Sequence, residues 1–247
     1  MPDQQRHRGA HPLDAKLFAP SHLPALREAV AHFSWLLERD YASKSALQLV
    51  GNRFSLHERQ RLAVMRCACS ETAQQRRAET RVEIEKISGQ TLHLDGYNIL
   101  TIIESALAGG VVLLGRDEVP RDIASMHGTF RRVEETQPAI ELIGEWLHRF
   151  GVSKVVWWLD SPVSNSGRLK TTLLETARNH GWEWDANLVF DADTALKKLD
   201  KPGFVVTADS VILDAGMPWV NLGREIIERA VPSAWVLDLS SQIRPMS

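Results

Sequence analysis

Residues 154–160 read Lys-Val-Val-Trp-Trp-Leu-Asp, an almost wholly apolar run that ends in an acid. A short apolar run without alternation is typical of a strand that is buried on both faces of a parallel sheet. A helical pattern follows over residues 168–180, and further strand patterns follow at 188–190 and 203–207. Strands that alternate with helices predict right-handed crossovers, and therefore an open, mainly parallel α/β sheet with helices on both faces.

The same alternation extends on either side of this stretch. Towards the N-terminus, the pattern predicts strands at 91–94 and 111–114 and helices at 99–107 and 138–150. Towards the C-terminus, residues 235–239 predict a last edge strand of the sheet. We therefore assign residues 89–247 to one α/β domain.

The chain before residue 89 has a different pattern. Apolar residues recur at helical spacing, and the pattern predicts helices over about 21–37, 44–50 and 56–69. The first twenty residues are rich in proline, histidine and charge without any period, which predicts a flexible tail. The chain is thus divided into a tail at 1–20, a helical region at 21–88 and the α/β domain.

Composition narrows the class of protein. The chain is 44% hydrophobic and 24% charged, with a formal net charge of −2. No apolar run approaches the roughly 18 residues of a membrane helix, and no cleavable signal is evident. The two cysteines, Cys67 and Cys69, lack the partner ligands of a zinc site. These features predict a cytoplasmic protein with free thiols and no membrane association.

Acidic residues follow four of the predicted strands: Asp95, Asp160, Asp209 and the pair Asp191 and Asp193. One such Asp is weak evidence, because Asp also favours turns and helix caps. Four recurrences carry more weight, since the carboxyl ends of parallel strands share one edge of the sheet. Carboxylates that converge there repel one another, and a divalent cation relieves the repulsion. Oxygen ligands without His or Cys predict Mg²⁺ or Mn²⁺.

The sequence Asp95-Gly96-Tyr97-Asn98 resembles the opening motif of the NYN branch of PIN-like ribonucleases. Asp160 and the segment Thr207-Ala208-Asp209-Ser210 are similar to the later acidic strand ends of that superfamily. The resemblance covers about residues 91–239. It implies a PIN/NYN-like fold in which Asp95, Asp160, Asp193 and Asp209 hold the metal and Asn98 positions the site.

Two assignments stay open at this point. The helix-borne acid of the resembled site could be Asp191 or Asp193, and we assign Asp193. Glu104, in the first predicted helix of the α/β domain, could be a further ligand or a surface or capping residue. The chain also resembles a family of uncharacterised bacterial and archaeal proteins, a domain of unknown function, in which a helical N-terminal region precedes such a domain.

Candidate substrate-binding residues lie in two loops. Ser164 and Asn165 follow Asp160 and precede a helix, so they could hold a phosphate at the helix N-terminus, although an ordinary serine cap is the alternative. Residues 115–132 show no clear period, and long loops are often functional. This loop contains His127, to which we give no firm role, and Arg131 and Arg132, which suit a nucleic-acid backbone.

A basic cluster lies in the helical region. Between Lys44 and Arg81 there are 8 basic and 3 acidic residues, from which we single out Arg53 and Arg59 as RNA contacts. The alternative is a solvated helix face with some ion pairs.

The leading hypothesis is a metal-dependent endoribonuclease that hydrolyses RNA phosphodiesters. The alternative is a non-catalytic RNA- or protein-binding module of the same fold, and a third candidate is a small-molecule phosphatase. The chain has neither a GxxxxGK[ST] loop nor a GxGxxG motif, which argues against a nucleoside triphosphatase or a dinucleotide enzyme. The sequence does not distinguish RNA from single-stranded DNA or fix the oligomeric state, for which a homodimer stays open.

Overall fold

The computed structural model describes residues 7–123, 130–200 and 202–240. The helices are α1 (Asp14–Leu17), α2 (Leu23–Leu37), α3 (Ser43–Arg53), α4 (Glu58–Cys67), α5 (Glu71–Thr80), α6 (Gly96–Leu107), α7 (Thr136–Arg149), α8 (Ser166–His180), α9 (Ala192–Lys197), α10 (Ser210–Leu213) and α11 (Leu222–Ala230). The strands are β1 (Thr91–Asp95), β2 (Val111–Leu114), β3 (Pro120–Asp122), β4 (Lys154–Asp160), β5 (Trp184–Val189), β6 (Phe204–Val206) and β7 (Trp235–Asp238).

Within the described residues, β5, β4, β1 and β6 form a sheet of four parallel strands in that order. The predicted parallel α/β sheet is thereby confirmed. The chain builds outward from β1 to β4 and β5 and then returns to β6 on the other side of β1. Ligands of open α/β sheets bind at the carboxyl ends of the strands where the order reverses, which here is the edge at β1 and its two neighbours.

A second sheet contains β3, β2 and β7, with β3 antiparallel and β7 parallel to β2. The prediction that residues 235–239 form an edge strand of the main sheet is therefore wrong. The reason is that β7 has its own apolar partner, because Leu237 pairs with Leu113 of β2. The prediction also missed α1, α5, α10, α11 and the strand β3, which lies where the sequence showed no clear period.

The N-terminal helices cover this second sheet. Side chains of α2, α3 and α4 share one core cluster with Val111 and Leu113 of β2 and with Leu237 of β7. Val112, between these two residues of β2, points into the other cluster, which contains the main sheet. The alternating strand β2 thus joins the two cores, and the helical region before residue 88 buries its apolar stripe against strands of the α/β region.

The segment before α2 differs from the predicted flexible tail. Phe18 is 2% exposed and belongs to the second core, and the buried carboxylate of Asp14 pairs with Arg59 of α4. The part of this segment that contains Asp14 and Phe18 is therefore packed, whereas residues 10–13 are exposed. Residues 1–6 lie outside the described residues. Among the helices that are described, none is both long enough and apolar enough to span a membrane.

Candidate active site

The acids that follow the parallel strands lie on one edge of the main sheet. Asp95 and Asp160 are the last residues of β1 and β4, which are adjacent and parallel. Asp209 comes three residues after the end of β6, on the other side of β1, and Asp193 lies in the first turn of α9 after β5. The local sequence places them, because each acid directly ends a strand or begins the helix that follows one.

Asp95 is the most enclosed of these acids, with 4% of the residue exposed. Its Oδ2 atom accepts hydrogen bonds from Asn98 Nδ2 at 2.6 Å and from Thr207 Oγ1 at 2.7 Å. The Thr207 hydroxyl oxygen in turn accepts a bond from the Asp209 backbone N–H at 2.9 Å. Thr207 therefore links the ends of β1 and β6. The sequence motif contains Thr207 but does not by itself indicate a role for it. Its position two residues before Asp209 is the signal that could have indicated a role at the acidic edge.

The structure distinguishes the two acids at α9. Asp191 is exposed and caps the helix, because its carboxylate accepts bonds from Thr194 N at 2.8 Å and Thr194 Oγ1 at 2.6 Å. Asp193 is half-buried and interacts electrostatically with Asp160 and Asp209. Asp160 is fixed against the same helix, since its Oδ1 atom accepts a bond from Ala192 N at 2.8 Å. The cap role of Asp191 and the electrostatic interactions of Asp193 favour Asp193 over Asp191 as the acid that belongs with the other carboxylates.

The neighbouring acids raise the pKa values of two carboxyl groups at this edge, those of Asp95 and Asp193. Burial raises the pKa of Asp95 to about 7, against the hydrogen bonds from Thr207 and Asn98, and the charges of Asp193 and Asp209 raise it further. Burial and then the charges of Asp209 and Asp160 raise the pKa of Asp193 to about 6, and Lys197 gives only the smallest opposing effect. Carboxylates whose ionisation is opposed by burial and by one another are suited to a bound cation.

The donor set matches a hard divalent cation in its chemistry, because it offers carboxylate oxygens and no thiolate or imidazole. In the described part of the chain, however, no three His, Cys, Asp or Glu side chains are grouped closely enough to hold a metal ion together. The acids therefore share an electrostatic field without forming a closed coordination sphere.

Gly96 and Tyr97 shape the edge between β1 and β4. A Cβ atom on Gly96 would lie 2.5 Å from Leu159 Cδ2 and 3.0 Å from the Trp158 carbonyl oxygen, so only glycine lets α6 begin this close to β4. Tyr97 is 4% exposed, and its hydroxyl has no hydrogen-bond partner within the described residues. Burial, with the nearby charge of Asp160, raises the pKa of this phenol to about 12. Each residue of the motif Asp-Gly-Tyr-Asn thus has its own part. The Asp supplies a carboxylate and the Gly lets α6 approach β4, while the Tyr supplies a buried phenol and the Asn donates a hydrogen bond to the Asp.

Glu104 does not belong to this edge. It is fully buried on α6, pairs with Arg8, and accepts a hydrogen bond from Thr136 Oγ1 at 2.6 Å. Its carboxylate is therefore compensated by the chain itself, which argues against the role of further metal ligand that the sequence left open.

A buried network of ion pairs contacts the backbone just before Asp209 of the acidic edge. Asp117 accepts two bonds from Arg121, at 2.8 and 2.6 Å, and one from Arg77 of α5 at 2.5 Å. Arg121 Nε also donates to the carbonyl oxygen of Ala208 at 3.0 Å, directly before Asp209. The segment 115–123, where the sequence showed no clear period, thus contains β3 and the two residues, Asp117 and Arg121, that connect α5 to the acidic edge.

Most arginines of the basic cluster in the helical region are paired with acids and do not form a free basic face beside the acidic edge. Arg59 pairs with the buried Asp14, Arg66 with Asp122, Arg77 with Asp117 and Asp214, and Arg81 with Glu118. The assignment of Arg59 to substrate binding is corrected on this ground, because its charge is used inside the fold. Arg53 is exposed, but it lines an apolar pocket with Trp35 and Leu49 on α2 and α3.

The predicted contacts in the loops have mixed outcomes. The Ser164 carbonyl oxygen accepts a bond from Phe130 N at 3.2 Å, and Asn165 Nδ2 donates to the Phe130 carbonyl oxygen at 3.1 Å. The serine cap that we considered as an alternative is not formed, because Asn165 occupies the N-cap of α8 and no side chain caps that helix. Arg131 and Arg132 follow Phe130 and are exposed, whereas His127 lies outside the described residues.

The raised pKa of Asp95 predicts a stability that depends on pH. Without metal, the folded protein binds a proton at Asp95 up to about pH 7, whereas the unfolded chain loses it near 3.8, so the free energy of unfolding falls as the pH rises between these values. We expect Asp95→Asn to be more stable than the wild type at pH 8 by at least about 1 kcal/mol and to lose this advantage near pH 4. Urea unfolding in EDTA at both pH values measures the difference, and an equal difference at pH 4 and pH 8 would contradict the assignment.

The chain is similar to two protein families and to an archaeal protein. A family model described as "Domain of unknown function (DUF5616)" matches residues 84–225, and one described as "Protein of unknown function (DUF434)" matches residues 25–79. An uncharacterized protein of Methanocaldococcus jannaschii, MJ0935, is 28% identical over 189 residues, which cover 76% of this chain and 89% of that protein. No solved structure gives a significant match. The first model spans all the acids of the edge.

Proposed function

From the premise that this chain belongs to the family described as "Domain of unknown function (DUF5616)", whose match includes every acid of the edge, we propose that it is a metal-dependent endoribonuclease. The observation that supports the proposal best is that the acids at the ends of β1, β4 and β6 and in the first turn of α9 lie on one edge of the sheet, where the charge of Asp209 acts on both Asp95 and Asp193. The proposal includes the PIN/NYN-like fold and a cytoplasmic location, where the buried Cys67 and Cys69 stay free thiols.

In this proposal Asp95, Asp160, Asp193 and Asp209 would hold Mg²⁺ or Mn²⁺ after their side chains move closer together than in this structure, where no three acids of the described residues are grouped closely enough. A divalent ion at such a site can activate water and neutralise the charge that develops on a phosphodiester during hydrolysis. The chain itself supplies orientation. Asn98 and Thr207 fix Asp95 Oδ2, and the Ala192 N–H fixes Asp160 Oδ1, which leaves the other oxygen of each carboxylate available.

One observation favours the second candidate, a non-catalytic RNA- or protein-binding module. Among the residues that the structure describes, no three acids are grouped closely enough to hold a metal. A module of this kind would bind RNA in EDTA as well as in Mn²⁺, with an affinity that falls as salt rises.

The experiment that tests the proposal is cleavage of a labelled mixed RNA pool by the purified protein in Mn²⁺, Mg²⁺ or EDTA. We expect cleavage with either metal, none in EDTA, and none with Asp160→Asn. The matched control is Asp40→Asn, because Asp40 is exposed at a left-handed turn position that Asn also tolerates. Single-stranded DNA and a chromogenic phosphate monoester in the same panel test substrate class.

No cleavage of RNA by folded protein in either metal would refute the nuclease and leave the binding module. Hydrolysis of the phosphate monoester alone would instead identify a small-molecule phosphatase.

A further inference from the structure

A pocket of about 330 Å³ lies beside the acidic edge, between the segment that begins at Phe130 and the first two turns of α8. Its lining includes Arg132 on one side and Asn165, Arg168 and Thr172 on the other. Two hydrogen bonds hold the sides together, from Phe130 N to the Ser164 carbonyl oxygen and from Asn165 Nδ2 to the Phe130 carbonyl oxygen. Two arginines that are 36 residues apart in sequence, 132 and 168, therefore face one small concavity.

These two arginines differ from most of those in the helical region. Both are exposed, and neither has an ion pair with a carboxylate of the described residues. Arg59, Arg66 and Arg77, in contrast, are paired with acids. Two uncompensated guanidiniums that line one pocket favour an anion, and the planar fork of Arg suits phosphate oxygens in particular.

A short loop joins the acidic edge to the pocket. Asn165 comes five positions after Asp160, so their Cα atoms are at most about 18 Å apart, and a hydrogen bond from Val163 N to the Asp160 carbonyl oxygen at 3.2 Å turns the loop. The ring centroids of Phe130 in the pocket and of Tyr97 are 5.4 Å apart, and the charge of Asp160 acts on the Tyr97 phenol. The pocket therefore contacts the α6 residue that lies two positions after Asp95.

We propose that this pocket is a backbone-phosphate subsite, in which Arg132 and Arg168 hold a phosphate of a single-stranded RNA a few nucleotides from the bond at the acidic edge. The inference rests on the proposed function, since it takes RNA as the ligand. A single RNA strand can place one phosphate between the two arginines and a second phosphodiester at the edge that the proposed nuclease uses, whereas an acidic peptide has no phosphodiester for that edge. The pocket is small, and its lining combines polar side chains with the apolar Phe130 and Leu169, so one phosphate and its ribose are the appropriate occupant.

The test is the affinity of a short fluorescent single-stranded RNA, measured by anisotropy in EDTA, so that cleavage cannot occur. We expect Arg132→Gln and Arg168→Gln each to weaken binding about tenfold, and to reduce the slope of log affinity against log salt by about 0.7. The matched control is Arg178→Gln, at the other end of α8, which is also exposed and removes the same charge from the same helix. We expect the control to change affinity by less than twofold.

The outcomes separate this inference from the nuclease proposal. Equal affinity of the wild type and both pocket variants, or no RNA binding by the wild type, would overturn the subsite. If the wild type cleaves RNA in Mn²⁺ and the pocket variants bind it as tightly as the wild type, the nuclease stands without the subsite. If binding depends on Arg132 and Arg168 but no metal supports cleavage, the subsite stands and the nuclease fails. Equal weakening by Arg178→Gln would show a diffuse charge effect and would also overturn it.

Discussion

Asp193→Asn is expected to reduce metal-dependent RNA cleavage at least about 100-fold, whereas Asp191→Asn, two residues earlier, leaves the rate within about twofold. Both substitutions are nearly isosteric and both remove one negative charge. They differ in what the carboxylate does, because Asp193 interacts with Asp160 and Asp209 while Asp191 accepts the Thr194 N–H as a helix cap. Asn is as good an N-cap as Asp, so the cap survives its substitution.

Comparing the two variants separates the effect of the position of a carboxylate from the effect of losing one negative charge. Initial rates over a Mn²⁺ titration separate a loss of metal affinity, which high Mn²⁺ would partly restore, from a loss of the chemical step. Circular dichroism and urea unfolding confirm that both variants are folded. An Asp191→Asn variant that loses as much activity as Asp193→Asn would show that the general acidity of α9 matters, and it would contradict the assignment of Asp193.

The acidic edge could be predicted because its cause is local. A strand ends where its apolar run ends, parallel strands share their direction, and residues that follow them must therefore meet at one edge. Asp95, Asp160 and Asp209 needed only this rule. The choice between Asp191 and Asp193 could not be made in this way, because both follow β5 and only the direction of the α9 turn decides which one faces the edge.

The second sheet could not be predicted, because its partners are distant in sequence. β2 and β7 have apolar patterns that fit the main sheet equally well, and their pairing depends on the N-terminal helices that cover them. The arginines of the basic cluster are less free than the local charge count indicates, for a related reason. Asp14 is 45 residues before Arg59, and Asp117 is 40 residues after Arg77, so the compensation of these arginines is not visible in a local count of charges.

The pocket residues show the opposite case. The composition of residues 127–132 indicates Arg132 as a candidate, whereas the pattern around Arg168 indicates only the start of a helix. Their meeting depends on two backbone-directed hydrogen bonds between the Phe130 segment and the loop after Asp160, and no sequence pattern specifies these.

The network around Asp117 connects the helical region to the candidate site. Arg77 comes from α5, Arg121 comes from β3, and both donate to one carboxylate that is 1% exposed. Burial alone would raise the pKa of Asp117, but Arg121 and Arg77 outweigh burial and lower it to about 2. The charge of Asp117 therefore persists throughout the neutral range, and the stability that it contributes is lost only as the pH falls below about 4 towards 2.

Asp117→Asn should accordingly destabilise the protein by about 3–5 kcal/mol at pH 7, because it leaves two buried guanidiniums without their shared anion. Asp214→Asn is the control, since Asp214 is 40% exposed and also binds Arg77, and it should cost only about 1 kcal/mol. Urea unfolding of both variants measures the difference, and for a chain of this size each kcal/mol corresponds to a fall of roughly 2–4 °C in Tm. Equal costs for the two variants would mean that burial of Asp117 is not what makes the network matter. A large cost confined to Asp117 would show that one buried charge stabilises the contact between α5 and the strand end before Asp209, and thereby links the helical region to the acidic edge.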